Sequence, residues 1–168
     1  MPAVLLVGIL AVTGSACSRT KPASTLDTTA TERAIDKVIG SRIEPAVREV
    51  RCPSEIARGP GKRFGCRAVL EDGDEVRLSV RQIGDHDRLD VALLDAVIDR
   101  PAVAVDLRRM LVTTFERAFT VDCGDDVAVV ARPRSTFTCS AKDPAGKRTV
   151  TVTVVDASGT VTYDVSGT

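Results

Sequence analysis

Five cysteines are the side chains of this sequence with the clearest chemical potential, because thiols can form disulfides, bind zinc or carry a lipid. Cys17 lies apart from the others, near the N-terminus. The remaining four are an even set, as expected of an exported protein in which disulfides persist: Cys52, Cys66, Cys123 and Cys139. None of them has the Cys-x-x-Cys spacing of a structural zinc site, so the sequence favours disulfides over zinc.

Cys17 follows a segment with the features of a signal peptide. Residues 1–16 carry no charged side chain, and their apolar run, AVLLVGILAV, is shorter than the roughly 20 residues of a membrane-spanning helix. Two small residues, Gly14 and Ala16, precede the cysteine. The arrangement resembles the lipobox of bacterial lipoproteins, which implies cleavage after Ala16 and a diacylglyceryl group on Cys17. Ordinary secretion with cleavage at the same bond is the alternative.

The other reactive residue types do not form a recognisable catalytic or ligand-binding pattern. The one histidine, His86, stands in GDHD, which has the composition of a hairpin turn. The acidic stretches EDGDE and DCGDD lack the Asp-x-Asp-x-Asp-Gly spacing of a calcium loop, and RGPGK lacks the terminal Lys-Ser/Thr of a phosphate loop. We therefore predict a protein that is not an enzyme and that uses no metal and no cofactor.

The charge balance argues against a nucleic-acid partner. Lys+Arg and Asp+Glu number 23 each, which gives a formal net charge of +0, whereas binding to nucleic acid relies on an excess of positive charge. Hydrophobic residues make up 43% of the chain, enough for a folded soluble body with its own core.

The sequence repeats one pattern. The segments VRCPSEIARGPGKRFGCRAVL at 50–70 and VDCGDDVAVVARPRSTFTCSA at 121–141 both contain Val-x-Cys, a spacer and Phe-x-Cys, followed by a turn and an alternating strand. Internal repetition of this kind indicates two copies of one structural unit.

A helix is predicted at the start of each unit. In the first, Thr29 and Glu32 have capping-box spacing, and apolar residues then recur at helical intervals up to Pro45. In the second, Asp99 and Pro101 favour a helix start. The predicted buried faces consist of Ile35, Val38, Ile39 and Ile43 in the first helix, and of Leu107, Met110, Leu111, Thr114, Phe115 and Ala118 in the second.

Four strands are predicted after each helix, because apolar and polar side chains alternate along the sequence. Both cysteines of each unit then face inward on neighbouring strands. This placement favours Cys52–Cys66 and Cys123–Cys139 among the three connectivities of four cysteines. The expected fold class is α+β, with two tandem repeats that each pack one helix on a four-stranded antiparallel meander sheet and hold one disulfide.

The sheet faces opposite the helices are expected to be exposed. In the first unit this face carries arginines, which are the candidate binding residues: Arg67, Arg77, Arg81 and Arg88. In the second unit it is rich in threonine, as in TVTVTV at 149–154. Either face could serve solubility alone. Recognition of an acidic envelope protein or an anionic wall polymer by the arginines is the functional alternative.

Helix, Val-x-Cys-Pro, Phe-x-Cys and a Thr/Val-rich strand behind a lipobox resemble the actinobacterial lipoprotein family called domain of unknown function 4333. VRCPSEI with RFGCRAVL, and VDCGDDV with TFTCSAK, carry the resemblance in two tandem copies. It implies an exported lipoprotein and lends no catalytic residue. The plan is also similar to secreted β-lactamase inhibitory proteins, which pair two helix-plus-sheet repeats and grip an enzyme.

The predicted organisation is a signal peptide at 1–16, a flexible tether at 17–28, and repeats at 29–98 and 99–168. We expect a non-catalytic binding or scaffolding module, anchored through lipid on Cys17 to the outer face of the cell membrane. An inhibitor of an extracellular enzyme and an envelope enzyme without a recognisable motif are the alternatives.

Overall fold

A computed structural model describes residues 24–84 and 88–166 of the chain. Cys17, His86, the predicted signal peptide and most of the predicted tether lie outside these residues. Within them, two helices and ten strands follow one another in the order α1 (Thr28–Ile39), β1 (Val47–Arg51), β2 (Arg63–Leu70), β3 (Glu75–Ile83), β4 (Arg88–Leu93), β5 (Ala96–Asp99), α2 (Arg100–Phe115), β6 (Thr120–Asp122), β7 (Ala128–Ala131), β8 (Thr136–Asp143), β9 (Gly146–Val154) and β10 (Val161–Ser166). Neither helix of the described part is long and apolar enough to cross a membrane.

The strands form three antiparallel sheets. One has the order β1-β2-β3-β4, a second has the order β10-β9-β8-β6, and a third consists of β5 and β7 alone. The mixed class, the antiparallel pairing and the two disulfides, Cys52–Cys66 and Cys123–Cys139, confirm the sequence-based predictions. The layout of two separate helix-plus-four-strand repeats needs correction, because β5 and β7 pair with each other outside both four-stranded sheets.

Each helix covers one face of a four-stranded sheet. In the first unit, Ile35 and Ile39 of α1 pack with Leu70, Val76 and Leu78 of the sheet, and all five are almost fully buried. In the second, Leu107 and Leu111 of α2 belong to one buried cluster with the inward-facing residues of β8 and β9. The third sheet contacts both clusters: Ile98 of β5 lies within the second, and Val97 of the same strand packs on the first.

Helix α1 begins differently from the prediction. Its N-cap is Asp27, whose side chain accepts a hydrogen bond from the backbone N–H of Ala30 at 3.0 Å. Glu32 does not complete a capping box with Thr29, because its carboxylate instead accepts from the backbone N–H of Cys52 at 2.8 Å. The helix also ends at Ile39, before the predicted stop.

The N-terminal side of α1 is packed against the first unit. Leu26 is buried, and its backbone N–H donates to the carbonyl of Ile56 at 2.9 Å. Thr25 forms an isolated antiparallel bridge with Ala57. Residues 24–28 therefore belong to the folded body, and the tether predicted to extend through residue 28 is wrong over that stretch.

Candidate binding face

The predicted phase of the first sheet is confirmed by burial. Along β3, Val76, Leu78 and Val80 are buried beneath α1, whereas Arg77 and Arg81, which alternate with them, are exposed. Arg67 on β2 and Arg88 on β4 are exposed as well. All four predicted binding arginines therefore lie on the face that α1 leaves uncovered.

Strand register sorts this face into rows that cross the strands. Arg51, Arg67 and Arg77 lie opposite one another on β1, β2 and β3, and we call these three residues the arginine row. Two residues along, Gly65 of β2 lies opposite Ser79 of β3.

Beyond that small-residue row, Arg63 on β2 lies opposite Arg81 on β3, which in turn lies opposite Asp90 on β4. At the end of the sheet, Ile83 lies opposite Arg88. The register thus brings Arg67 and Arg77 together and places Arg88 apart from them.

Carboxylates stabilise the arginine row, because they offset the repulsion between like charges on facing strand positions. Arg67 donates to Glu75 at 2.8 Å, and Arg51 contacts both Glu75 and Glu49. The side chains of Arg51 and Arg67 are 58% and 64% exposed, so their guanidinium groups remain accessible to a partner.

Arg77 has a different partner, which sequence reasoning missed. Asp95, in the link between β4 and β5, has a side chain that is 4% exposed. Its two carboxylate oxygens accept from Nε of Arg77 at 2.9 Å and from Nη2 at 2.6 Å, and one also accepts from the backbone N–H of Arg77 at 3.0 Å. The hydrogen bonds from Arg77 hold the pKa of Asp95 below its ordinary value, against the opposing effect of burial.

This pair gives Arg77, predicted only as a binding or solubilising residue, a structural role. An isolated acid within the apolar sequence VALLDAVI at 91–98 was the signal available in the sequence, because a carboxylate in such a stretch needs a partner when it is buried. Arg77 is that partner, and it ties the first sheet to the link that leads into the third.

Two depressions flank the arginine row. One of about 350 Å³ is lined by Arg67, Asp74, Glu75, Arg77, Asp95, Val130 and Arg132, and so joins the first sheet to β7 of the third. The other, of about 440 Å³, has a more apolar lining that includes Pro53, Gly65 and Leu94. A partner on the arginine row would therefore find a polar cleft on one side and an apolar one on the other.

The uncovered face of the second sheet carries hydroxyl groups in register. Thr153 of β9 lies opposite Thr136 of β8 and Thr162 of β10, and Thr151 lies opposite Thr138. These residues are exposed or half-buried, as predicted. Across residues 24–84 and 88–166, no group of three or more His, Cys, Asp or Glu residues is arranged to hold a metal ion.

Residues 10–87 match the model of a family described as Domain of unknown function (DUF4333). The match spans α1, β1, β2 and β3, and includes Cys17 and the first disulfide. It supports the family resemblance for the first unit, and the second unit lies outside it. No curated protein and no solved structure matches the chain.

Proposed function

We propose that this chain is an exported binding module of the cell envelope, anchored through lipid on Cys17, and that the arginine row holds an anionic partner. The partner is an acidic protein segment or an anionic wall polymer, and the interaction involves no chemical step, metal or cofactor. The observation that carries this proposal is the cross-strand line of Arg51, Arg67 and Arg77.

Three neighbouring strands place the backbone positions of these arginines roughly 5 Å apart, a spacing set by strand pairing before any partner arrives. Guanidinium binds carboxylate and phosphate in a two-pronged geometry, which Arg51 and Arg67 can offer to an extended anion laid across the strands. Arg77 adds positive charge at the end of the line, because its Nε and Nη2 are already bonded to Asp95. The Cys52–Cys66 disulfide links the residue after Arg51 to the residue before Arg67. This covalent link holds β1 and β2 together beside the arginine row.

Glu75 competes with such a partner, because it contacts both Arg51 and Arg67. Its removal therefore tests the arginine row with the opposite sign from removal of an arginine. Binding of poly-glutamate and of inorganic polyphosphate, as protein-like and polymer-like probes, should strengthen in Glu75→Gln and weaken in Arg67→Ser. Both effects should shrink as salt increases.

Lys142→Ser is the matched control for Arg67→Ser, because Lys142 is an exposed cation on the second sheet, opposite Lys147. This control should leave binding unchanged. Equal losses in Lys142→Ser and Arg67→Ser would show attraction to net charge alone. Binding that does not respond to Glu75→Gln would also contradict the arginine row as the site.

A further inference from the structure

The chain enters the first unit at one defined point. The backbone N–H of Arg58 donates to the carbonyl of Ser24 at 2.8 Å, and Leu26 is bonded to Ile56 just beyond it. Leu26 and Ile56 are both buried, so this entry is fixed by packing as well as by hydrogen bonds. Whatever lies N-terminal to Ser24 must approach the body beside residues 56–58.

The loop at this entry point is tied to the end of the first sheet. The side chain of Gln82, which is buried, accepts from the backbone N–H of Gly59 and donates to the carbonyl of Ala57, both at 2.9 Å. Pro60 and Gly61 occupy the middle of a turn closed by the Lys62 N–H, and the positive φ of Gly61, 75°, fits the type II pattern. The turn therefore presents Lys62 next to the start of β2.

Three exposed cations at this end of the sheet form a cluster that we call the basic end: Lys62, Arg63 and Arg88. Their side chains have no hydrogen bond or ion pair with any residue in the described ranges, unlike the arginine row. Ile83 lies opposite Arg88 and is 38% exposed, which adds an apolar side chain to the cluster. Asp90, on the strand that carries Arg88, is already bonded to Arg81 at 2.9 Å. In the sequence, Asp85 and Asp87 lie between Ile83 and Arg88, outside the described residues.

The sequence segments on both sides of the entry point are also basic. The segment 57–63 contains three cations and no acid, and the stretch between Cys17 and Ser24 contains Arg19 and Lys21 and again no acid. That stretch can span at most about 24 Å, at roughly 3.4 Å per residue. A lipid on Cys17 would therefore hold the entry point, and the basic end beside it, close to the leaflet.

We propose that the basic end docks on the anionic phospholipid headgroups of the leaflet in which the lipid of Cys17 is inserted. This inference rests on the proposed lipid anchor. The cations attract the headgroup phosphates, and Ile83 enters the interface beside them. Arg63 and Arg67 are four residues apart on β2, so the arginine row lies about 13 Å along the strand from the basic end and stays open to its partner.

Chemical anchoring tests the docking without relying on lipidation in cells. In the chain that begins at Cys17, the other four cysteines are in disulfides, so Cys17 alone can be coupled to a maleimide phospholipid in vesicles. The rate of lysine acylation, read by mass spectrometry, then compares Lys62 with Lys142 in the same molecule. We expect Lys62 to be protected on phosphatidylglycerol vesicles and not on phosphatidylcholine vesicles, while Lys142 reacts equally on both.

A variant and its control sharpen the test. Arg63→Ser with Arg88→Ser leaves Lys62 in place as the reporter and should lower the docked-to-free ratio by about 30-fold, from about 1 kcal/mol per cation near an anionic surface. Arg108→Ser with Arg134→Ser removes two exposed cations from the other half of the chain and should keep the protection. The melting temperature of each variant shows that it is folded.

Equal acylation of Lys62 on both kinds of vesicle would overturn the docking, and so would equal loss of protection in the two variants. The anchor itself is tested separately, by mass spectrometry of the N-terminal peptide from the membrane fraction of cells. An unmodified Cys17 there would overturn the proposed address, whereas the vesicle result would still decide whether the surface binds anionic lipid.

Discussion

Replacement of Asp95 by asparagine should destabilise the protein far more than the same replacement at Asp90. Both carboxylates face an arginine of β3, Arg77 for Asp95 and Arg81 for Asp90, so the two variants remove similar ion pairs from the same sheet. They differ in burial, because the side chain of Asp95 is 4% exposed and that of Asp90 is 50% exposed.

The expected magnitudes follow from that difference. Asparagine keeps the shape of Asp95, but it loses the charge and turns one hydrogen-bond acceptor into a donor that faces the Arg77 guanidinium. Loss of a charge-assisted hydrogen bond at a buried site costs about 2 kcal/mol of unfolding free energy. The exposed Asp90 pair is in the range of surface ion pairs, below about 1 kcal/mol. For a chain of this size, the Asp95 variant should melt about 4–8 °C lower.

Thermal and urea unfolding at neutral pH, with the disulfides intact, would measure both variants. The pKa of Asp95 is lowered in the folded state, so its contribution is present above the ordinary carboxyl pKa of about 4 and disappears as pH falls through the lower folded value. The gap between the wild type and Asp95→Asn should therefore close in acid. Equal stability of the two variants at neutral pH, or a gap that persists in acid, would refute the assigned role of the pair.

Three further outcomes are expected. Joint replacement of Cys52 and Cys66 by alanine should lower the free energy of unfolding by about 3 kcal/mol in urea titrations, because their separation of 14 residues sets the loop-closure entropy. A loss below about 1 kcal/mol would contradict this account of the disulfide. Burial raises the pKa of Tyr163, so its phenolate absorbance should titrate with a midpoint above the ordinary tyrosine pKa of about 10. The free energy of unfolding should fall as pH rises past about 10, because the unfolded chain then loses the phenolic proton more readily than the folded chain. A titration midpoint at or below about 10 would be inconsistent with the packing of Tyr163. Gly124→Ala should lower the melting temperature, because φ is 95° there, a conformation that alanine rarely adopts. The added Cβ would also displace Nη1 of Arg100 from the carbonyl of Cys123, and an unchanged melting temperature would contradict the backbone strain.

Local sequence patterns were sufficient to predict those features that depend on residues close together in the sequence. The alternation of Val76, Leu78 and Val80 with Arg77 and Arg81 predicted which side of β3 is buried, because successive side chains of a strand point to opposite faces. The same alternation placed the cysteines of each pair on one face and led to the correct disulfides. Asp99 and Pro101 likewise predicted the start of α2, since a capping interaction spans only a few residues.

Contacts between distant segments could not be read in this way. Glu32 has the spacing of a capping box, but the fold brings the backbone N–H of Cys52 within 2.8 Å of its carboxylate, and Asp27 caps the helix instead. Gly124 stands where the first unit has Pro53, and the structure shows why the two differ, since proline cannot adopt a positive φ. Such outcomes depend on which groups meet across the fold.

The sequence by itself determined the faces of the strands, the pairing of the cysteines and the residues available for the candidate binding face. Tertiary structure decided what each arginine does: Arg77 stabilises a buried carboxylate, Arg67 lies in a row with Arg51, and Arg88 lies apart at the end where the chain enters. The reason is physical. Burial of a side chain follows from its own strand and its immediate neighbours. The contribution of a charged side chain to stability or binding depends instead on every carboxylate and cation that the folded chain brings near it.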